Sequence, residues 1–370
     1  MNRDFPPIRA FILPIFFIGL LFYSLWSRRP QTTDMKEPSI VSYQITGEAL
    51  GTTWMVKLFS EEIGDQRETQ ARLFLEISQQ IDVINQMMST YIVDSELSLL
   101  NANTATDVWI DISPELYMVL DSARNLSVIS KGAFDVTIGP VVNLWGFGPE
   151  RGQEEPLREE LVEQLSRVGN DGYELHTTKY QIKKHKTDVS FDLSAIAKGF
   201  AIDYVATYLE HQGYMEYMIE IGGEVRTNSI EQMQHRTWKI GIERPNKERG
   251  EIEEVIELPS KQGIALATSG DYRNYYELHG QRISHTIDAR TGEPITHSLA
   301  SVSVIHENAM LADGWATLLN VLGPHDGMAL ARREKLPALF ILRERDGTFS
   351  LQMTSEFLTF CVTCKETKTQ

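Results

Sequence analysis

Apolar side chains recur along part of the chain at the spacing of a helix, and this pattern predicts its longest element. Leu73, Ile77, Ile81 and Ile84 follow one another at intervals of three or four residues, which is the period of one helix face. A long amphipathic helix is therefore predicted over about residues 66–89. Its apolar stripe is most simply part of a core.

Capping residues predict a second helix. Ser113 can cap a helix whose first residue is Pro114, because proline at that position loses no intrahelical hydrogen bond. We expect this helix to end near Ser130, since Gly132 can adopt the left-handed conformation that terminates a helix.

A strand followed by a helix is predicted in the middle of the chain. Val189 and Phe191 alternate with polar residues up to Asp192, and residues 195–209 then have helical character until Gly213. Asp192 thus stands where the strand passes into the helix.

Alternating apolar and polar positions predict further strands, and one more helix is expected over residues 308–322. The predicted strands span residues 217–221, 238–242, 264–268, 282–287, 300–305 and 338–342. Because strands and helices do not alternate strictly, the pattern favours α+β layers in a single domain, which we place at residues 43–360.

We interpret the first 30 residues as a targeting segment. An uncharged, apolar run at residues 10–26 has two arginines on each side, and its 17 residues are at the lower limit for a membrane-spanning helix. A cleaved signal peptide has a similar length, but no A-x-A-like cleavage site follows. We therefore expect an uncleaved single-pass membrane helix within residues 1–30, joined to the domain by a polar tether at residues 31–42.

The composition excludes several classes of protein. With 42% apolar and 23% charged residues the chain is globular, and its formal net charge of −16 argues against a nucleic-acid binder that neutralises phosphates. Its two cysteines, Cys361 and Cys364, are too few for a disulfide scaffold or a four-cysteine zinc site. They lie in the predicted C-terminal tail, residues 361–370, where the context favours a disulfide or free thiols over a redox centre.

The sequence lacks the familiar phosphate-binding and hydrolase motifs G-x-x-x-x-G-K-S/T, G-x-G-x-x-G, H-E-x-x-H and G-x-S-x-G. What remains is a set of segments that combine glycines with carboxylates, as ligand-binding loops do. They are GEALGTTW (47–54), GAFDVTIGPVVNLWGFGP (132–149), DLSAIAKG (192–199), IGGEVR (221–226), TSGDY (268–272), HTIDARTGEP (285–294) and ADGWAT (312–317).

The most chemically suggestive pair is Asp313 and Thr317. They lie four residues apart on a predicted helix and share a face, so a carboxylate and a hydroxyl could together offer oxygens to a hard cation such as Mg2+. The alternative is a solvated helix face, which the spacing alone favours. The helix around Asp313 is apolar on nearly all sides, however, and a carboxylate in a largely buried helix needs a partner.

Three further residues have two interpretations each. Asp192 could cap the predicted helix or bind a ligand, and Lys198 could be a surface lysine or a cation that holds a phosphate near the helix start. His285 lies near the end of a predicted strand, close to Asp288. A single histidine is more often structural than catalytic.

The sequence resembles the FAD:protein FMN transferases, the ApbE-type flavin transferase family, in a series of motifs from about Gly47 to Gly323. In order, these are GTTW, YIVDSELS, GAFDVTIGPVVNLWGFGP, DLSAIAKGFAID, IGGEVR, ATSGDY, HTIDARTGEP and ADGWATLLNVLGP. The resemblance implies the α+β fold of that family, FAD as substrate and FMN donor, and Mg2+ as cofactor. It also implies that FMN is transferred through a phosphodiester bond to a threonine of a target flavoprotein, with release of AMP.

The resemblance further implies which residues form the site. The flavin would contact Leu50, Tyr91, Ala133, Phe134, Asp135, Asp192, Lys198 and Ile287. The metal would be bound by Asp313, Thr317 and the main-chain carbonyl of Ala195. For the base that takes the proton of the acceptor threonine, our candidate is His285, with Asp288 as the second choice.

Members of this family are typically exported, which agrees with the predicted membrane helix. We therefore expect the protein in a bacterial inner membrane, with its soluble domain on the periplasmic side and a membrane electron-transfer subunit as the target. Two alternatives stay open. One is an Mg2+-dependent FAD pyrophosphatase that uses water in place of threonine, and the other is a membrane-tethered flavin-binding protein without chemistry.

Besides Leu50, which stands where methionine is common and conserves its volume, two positions depart from the family pattern. Ala289 stands where proline is usual, which would loosen the turn, and Gly314 stands where alanine is common. A glycine inside a helix costs about 1 kcal/mol relative to alanine. Neither change removes an oxygen ligand of the implied metal.

Overall fold

The computed structural model describes residues 40–60, 65–149, 155–229, 237–246, 250–259, 263–272 and 275–362. Contacts divide the chain into two units between Val41 and Ser42, and the fold and site described below belong to the second unit. The predicted membrane helix, the tether up to residue 39, and Cys364 lie outside the described residues. Among the residues that are described, no helix is both long enough and apolar enough to cross a membrane.

Helices and strands follow one another irregularly along the described residues. The helices are α1 (Gln66–Met88), α2 (Glu96–Ala102), α3 (Pro114–Ser130), α4 (Gly139–Leu144), α5 (Arg158–Leu165), α6 (Ala197–His211), α7 (Ala309–Arg333) and α8 (Ser355–Leu358). The strands are β1 (Val41–Ala49), β2 (Thr52–Ser60), β3 (Trp109–Asp111), β4 (Tyr173–Leu175), β5 (Gln181–Lys184), β6 (Glu216–Ile221), β7 (Glu224–Asn228), β8 (Trp238–Glu243), β9 (Ile252–Leu258), β10 (Ile264–Gly270), β11 (Tyr275–Leu278), β12 (Gln281–Ser284), β13 (Ile287–Asp288), β14 (Glu293–Pro294), β15 (Leu299–His306), β16 (Ala338–Arg343) and β17 (Phe349–Met353). The mixture of helices and strands agrees with the predicted α+β class.

A large sheet forms the centre of the fold, with the strand order β1-β2-β6-β7-β10-β15-β16-β17 within the described residues. The paired strands from β2 to β17 are antiparallel. Smaller sheets are formed by β3-β5-β4, β8-β9, β11-β12 and β13-β14. In the large sheet β7 is an interior strand, because it pairs with β6 on one side and β10 on the other.

Apolar residues pack on both faces of the large sheet. On one face α6 lies on β6 and β7, and α7 lies on β10 and β15; α1 contacts α6, and α3 contacts α7. On the other face, Ile240 of β8 and Ile256 of β9 pack in one cluster with Leu266 of β10. Because side chains alternate along a strand, Ala265 and Ala267 of β10 point toward the helical face, where their small size permits close packing of α7.

The two helices predicted in the first half of the chain are confirmed. The predicted stripe of α1 is buried, including Leu73 and Ile77. Ser113 caps α3, since its Oγ accepts the N–H of Leu116 at 3.2 Å. The helix ends at Ser130 as expected, but the first left-handed residue after it is Lys131, with a φ of 55°.

Three other predicted elements differ from the structure. The predicted strand at residues 189–191 is reduced to an isolated bridge between Ser190 and Ile138, and α6 begins at Ala197 rather than at residue 195. The strand predicted at residues 282–287 is divided into β12 and β13. The division follows from a local hydrogen bond, since the Thr286 N–H donates to the Ser284 hydroxyl at 3.1 Å instead of to a neighbouring strand.

The helix predicted at residues 308–322 is present, and a second helical segment follows it. Asn308 caps α7, and the backbone leaves the helical conformation at Gly323, whose φ is 75°. The chain then continues as a helix from Pro324 to Arg333. Proline suits this position because the first residues of a helix have no intrahelical acceptor for their N–H groups.

Candidate functional site

A close contact between α6 and α7 organises the site. Gly199 lies near the start of α6, and its N–H donates a 3.0 Å hydrogen bond to Oδ2 of Asp313 on α7. A Cβ on Gly199 would lie 2.2 Å from the main-chain oxygen of Ala309, so glycine is needed for the two backbones to come this close. Asp313 is only 3% exposed. The buried carboxylate therefore has the partner that the sequence pattern requires.

The ammonium group of Lys198 lies near three oxygen atoms. Its Nζ is 3.4 Å from Oε1 of Glu224 and 3.9 Å from Oδ1 of Asp313, and it donates to the Ser194 carbonyl at 3.4 Å. Burial lowers the pKa of Lys198, but Asp313 and Glu224 more than offset this effect and raise the pKa above its ordinary value. The ammonium therefore stays charged at neutral pH. We call Lys198, Glu224 and Asp313 the Lys198 cluster.

Glu224 is the member of this cluster that the sequence-based prediction did not include. It begins β7 directly after Gly222 and Gly223, whose φ angles of 63° and 105° favour glycine. Its side chain is buried, and Oε2 has no hydrogen-bond partner within the described residues. Burial raises the pKa of Glu224 to about 8; Lys198 opposes the shift and Asp313 adds to it. The one sequence signal for Glu224 is the glycine pair directly before it.

The residues implied as metal ligands offer the hard oxygen atoms that Mg2+ prefers. Asp313 and Thr317 lie four residues apart on α7 and therefore on one face of it. Ala195 lies in the turn before α6, four residues before Gly199. If the helix included Ala195, the Gly199 N–H would donate to the Ala195 carbonyl. That N–H donates to Asp313 instead. In the part of the chain that is described, no three His, Cys, Asp or Glu side chains form a metal-binding group, so a cation here would need the hydroxyl and the carbonyl as well.

Asp192 does not cap α6, and that interpretation is wrong. Its Oδ1 accepts the Ser194 N–H at 2.8 Å, and its own N–H donates to the Val136 carbonyl at 2.7 Å. The N-cap of α6 is Ile196, which makes no side-chain capping bond. Asp192 instead connects the turn that precedes Lys198 to the segment around Val136.

Asp135 is held inside the protein by three donors. Its Oδ1 accepts from the N–H and the hydroxyl of Thr137 at 2.9 and 2.6 Å, and its Oδ2 accepts from the Ser127 hydroxyl at 2.9 Å. Both carboxylate oxygens therefore have partners within the fold. Asp135 shapes the backbone of the segment that the resemblance assigns to the flavin.

Ala133 and Phe134, the other two residues of that segment, are buried directly after α3. The Phe134 N–H donates to the Ser130 hydroxyl at 3.1 Å, and the Ala133 carbonyl accepts the N–H of Ala289 at 3.3 Å. A proline at position 289 could not donate this bond. The alanine that replaces the usual proline therefore adds a connection between the two segments rather than only loosening the turn.

Aromatic side chains form a second group around Phe147. Its ring centre lies 5.2 Å from that of Tyr276 and 6.3 Å from that of His285, and its carbonyl accepts from the Tyr91 hydroxyl at 3.2 Å. Tyr276 also donates to the Trp145 carbonyl at 3.1 Å. Tyr91 is 63% exposed, so its ring is accessible from solvent. We call Tyr91, Phe147, Tyr276 and His285 the aromatic cluster.

Leu50 lies in the turn between β1 and β2, where both it and Gly51 have positive φ angles of 53° and 71°. This hairpin end is close to the Lys198 cluster. A Cβ on Gly222 would lie 3.1 Å from the Thr52 side chain and 3.3 Å from Cδ of Lys198. The turn that carries Leu50 therefore borders the cation end of the site.

Ile287 and Asp288 form β13, which α7 contacts. Ile287 is buried in one cluster with Trp145. Asp288 is paired with Arg290, whose Nη2 lies 2.6 Å from Oδ2 and whose Nε lies 3.0 Å from Oδ1. Both oxygens of Asp288 are thus engaged by Arg290, which makes Asp288 a weaker candidate for a base.

Comparison with known proteins identifies the family to which these motifs belong. Residues 50–340 match the model of the ApbE family. An FAD:protein FMN transferase of Haemophilus influenzae is 41% identical over 327 residues, which cover 87% of this chain and 92% of that protein. One of Vibrio cholerae is 39% identical over 318 residues, which cover 85% of this chain and 92% of that protein.

Solved structures show the same fold. The flavin transferase ApbE from Vibrio cholerae superposes with a TM-score of 0.76 at 37% identity, covering 87% of this chain and 100% of that one. The apo form of the Pseudomonas stutzeri flavinyl transferase ApbE gives a TM-score of 0.76 at 33% identity, covering 87% of this chain and 97% of that one. The residues matched by the family model include both the Lys198 cluster and the aromatic cluster.

Proposed function

Since the chain belongs to the ApbE family and is a transferase of flavin, we propose that it transfers FMN from FAD to a threonine hydroxyl of a target flavoprotein. A bond forms between the threonine oxygen and the flavin-side phosphorus, the pyrophosphate bond breaks, and AMP leaves. The observation that carries this proposal is the Lys198 cluster, which places a charged ammonium next to a buried carboxylate where α6 meets α7.

Lys198 would bind the pyrophosphate of FAD. Its side chain is 29% exposed and its ammonium is charged, so it can reach a phosphate from the protein interior. The start of α6 adds to this attraction, because the N–H groups of a helix N-terminus carry partial positive charge. Transfer of a phosphoryl group depends mainly on such positioning and charge neutralisation.

Asp313, Thr317 and the carbonyl of Ala195 would hold Mg2+. When bound, the ion would polarise the flavin-side phosphorus and stabilise the departing AMP. The protein contribution is the rigid placement of Asp313, because its Oδ2 is held by the Gly199 N–H while Oδ1 lies on the side of Lys198.

The aromatic cluster would hold the flavin ring, and its histidine would deprotonate the hydroxyl of the acceptor threonine. Tyr91 offers an exposed ring face, and Ile287 lies in a neighbouring apolar cluster that also includes Phe147. His285 lies beside Phe147 and would take the proton of the threonine hydroxyl. We therefore place the flavin end of FAD at the aromatic cluster and its pyrophosphate at the Lys198 cluster.

We also propose that the soluble domain lies on the periplasmic side of a bacterial inner membrane and acts on a membrane electron-transfer subunit. The apolar run at residues 10–26 supports an anchor. Cys361 is disulfide-bonded, which is one of the two states that the sequence left open, and disulfides persist in oxidising compartments such as the periplasm.

Mass spectrometry of an acceptor flavoprotein tests the proposal directly. Purified full-length protein is incubated with the acceptor, FAD and Mg2+, and the acceptor is expected to gain the mass of FMN on one threonine. Asp313→Ala should abolish the gain. Asp326→Ala, which removes an exposed aspartate from the same helix, is the matched control and should retain it. Cleavage of FAD to FMN and AMP without an adduct would favour the pyrophosphatase, and binding of intact FAD alone would favour a carrier.

His285→Ala separates the base from the binding site. The rate of FMN transfer should fall about a hundredfold or more, the usual contribution of a general base, while FAD affinity changes little. Single-turnover transfer and fluorescence titration of FAD measure the two quantities, and His325→Ala on the exposed surface of α7 serves as the control. An unchanged transfer rate would show that another group takes the proton.

A further inference from the structure

The ammonium of Lys198 lies between two acidic side chains, those of Glu224 and Asp313. Its Nζ lies 3.4 Å from Glu224 Oε1 and 3.9 Å from Asp313 Oδ1, so Glu224 is the nearer partner. Asp313 is the only carboxylate among the implied metal ligands, and an ammonium that moved onto its Oδ1 would compete with a cation for that oxygen. The balance between the two contacts therefore matters for metal binding.

We propose that Glu224 is a positioning residue that holds the Lys198 ammonium away from Asp313 and so keeps Oδ1 of Asp313 available to Mg2+. This inference rests on the proposed function. Glu224 itself need not touch the metal, because its effect passes through Lys198.

The backbone around Glu224 is suited to such a role. Glu224 pairs with Ile221 across the turn formed by Gly222 and Gly223, and the next residue, Val225, pairs with Leu266 of β10. Its main chain is thus fixed from both sides of an interior strand. Because the side chain of Glu224 is also buried, its carboxyl group has little room to move with Lys198.

The surroundings of Glu224 point to a function that the fold alone does not require. Its side chain is buried, yet Oε2 has no hydrogen-bond partner within the described residues. Burying an unsatisfied polar atom costs stability. An apolar residue would avoid that cost, but the partners that the described residues would then offer to the Lys198 ammonium are the Ser194 carbonyl and Asp313.

A double-mutant cycle on the full-length protein tests the proposal, with Mg2+ alone as the probe and calorimetric titration as the measurement. E224A should weaken Mg2+ binding about tenfold, within the range for coupled residues in contact. In the K198M background the same substitution should change the dissociation constant by less than about twofold, because no ammonium remains to occupy Asp313. E224A could instead weaken Mg2+ binding by disturbing the structure, or by removing a negative charge near the metal. In either case the loss of affinity would be the same with Lys198 present and in the K198M background.

Two further variants complete this experiment, one as a substitute for E224A and one as a control. E224Q keeps the side-chain volume and one carbonyl acceptor; should E224A fail to fold, E224Q takes its place, with a smaller weakening of about threefold that again disappears with K198M. E216Q is the matched control, since Glu216 is equally buried on β6 but lies at the end of that strand away from the glycine turn.

The outcomes distinguish this inference from the proposed function. If the unmodified protein binds Mg2+ and D313A does not, but E224A or E224Q binds as tightly as the unmodified protein, only the role of Glu224 is overturned. The same holds if the loss persists with K198M. If the unmodified protein shows no binding that depends on Asp313, the proposed metal site is wrong and the role of Glu224 is overturned with it.

Discussion

Two clusters of charged side chains are built from the same three elements, α6, β7 and α7. The Lys198 cluster is one of them. The other, which we call the Asp203 cluster, consists of Asp203 on α6, Arg226 on β7, and the first two N–H groups of α7. Glu224 and Arg226 are two residues apart on β7 and therefore point to the same face.

The carboxylate of the Asp203 cluster is fully used. Its Oδ1 accepts from Arg226 and from the N–H of Ala309 at 3.0 Å, and its Oδ2 accepts the N–H of Met310 at 2.9 Å. Burial raises the pKa of Asp203, and Arg226 and the two N–H groups oppose that shift. These contacts join the N-terminal end of α7 to α6 and to β7 of the large sheet. The Asp203 cluster is therefore structural.

The carboxyl groups of the Lys198 cluster are only partly used. Glu224 Oε2 has no partner within the described residues, and Lys198 reaches Asp313 Oδ1 only at 3.9 Å. Elements and residue types are alike in the two clusters. What differs is the number of donors to the carboxyl groups, and the cluster whose carboxyl groups have unmet hydrogen-bonding capacity is the one that we propose as the ligand site.

Asp203→Ala should have the largest effect on stability. It removes two main-chain caps of α7 and leaves the half-buried Arg226 with the more distant Glu210 carboxylate, 3.9 Å away, so the free energy of unfolding should fall by about 3–5 kcal/mol. Urea denaturation measures the change, and Asp203→Asn should lose less because its amide oxygen still accepts one N–H. A loss below about 1 kcal/mol for Asp203→Ala would contradict the structural role.

Gly199→Ala should damage both clusters, because it separates α6 from α7. Overpacking against the Ala309 backbone costs about 3 kcal/mol, and replacing a helical glycine returns about 1, so a net loss of about 2 kcal/mol is expected together with weaker Mg2+ binding. Gly314→Ala, which lies on α7 rather than on α6, meets the flexible Leu126 side chain instead and should lose less stability. Equal losses for the two variants, measured by thermal unfolding, would argue against a special contact at Gly199.

Asp313→Asn should change stability little and binding strongly. The amide oxygen can still accept the Gly199 N–H, so the free energy of unfolding should stay within about 1 kcal/mol of the unmodified protein. Removal of the charge should weaken Mg2+ binding more than about tenfold. Paired urea and calorimetric measurements on one preparation check both, and an unfolding loss comparable to that of Asp203→Ala would erase the distinction between the clusters.

Glu224→Gln should produce the smallest change, visible as a pH dependence. Burial raises the pKa of Glu224 in the metal-free folded protein to about 8 although Lys198 opposes the shift, whereas the ordinary pKa that applies to the unfolded chain is 4.5. Between these values the folded state holds more protons, so the free energy of unfolding falls as the pH rises. Without metal, Glu224→Gln should show a shallower fall over this window than the unmodified protein in urea denaturation. Parallel curves would mean that Glu224 is ionised throughout.

Local sequence predicted the elements whose determinants are local. The stripe of α1 and the cap of α3 are encoded within a few residues, and both helices have the predicted extent to within one residue. The predicted start of α6 is wrong because its determinants are distant in the sequence. Asp192 looks like a cap, but its carboxylate serves the Ser194 N–H, and the Gly199 N–H near the helix start is satisfied by Asp313, 114 residues away.

The same distinction applies to the site. Asp313, Thr317 and Lys198 could be proposed individually from their motifs, whereas the segment IGGEVR indicated a ligand-binding loop without indicating that Glu224 is buried beside Lys198. Its burial comes from α6 and α7, which cover β7 only after the chain has folded. No periodicity within IGGEVR contains that information.

The contact of Gly199 with Ala309 has an evolutionary consequence. Because backbone touches backbone there, the separation of Lys198 from Asp313 is set by main-chain atoms rather than by the sizes of interposed side chains. Core residues beneath the two helices can therefore change volume over generations without altering the spacing of the site, provided that this one glycine is retained. Sequence drift in the core and constancy of the chemistry are compatible in this architecture.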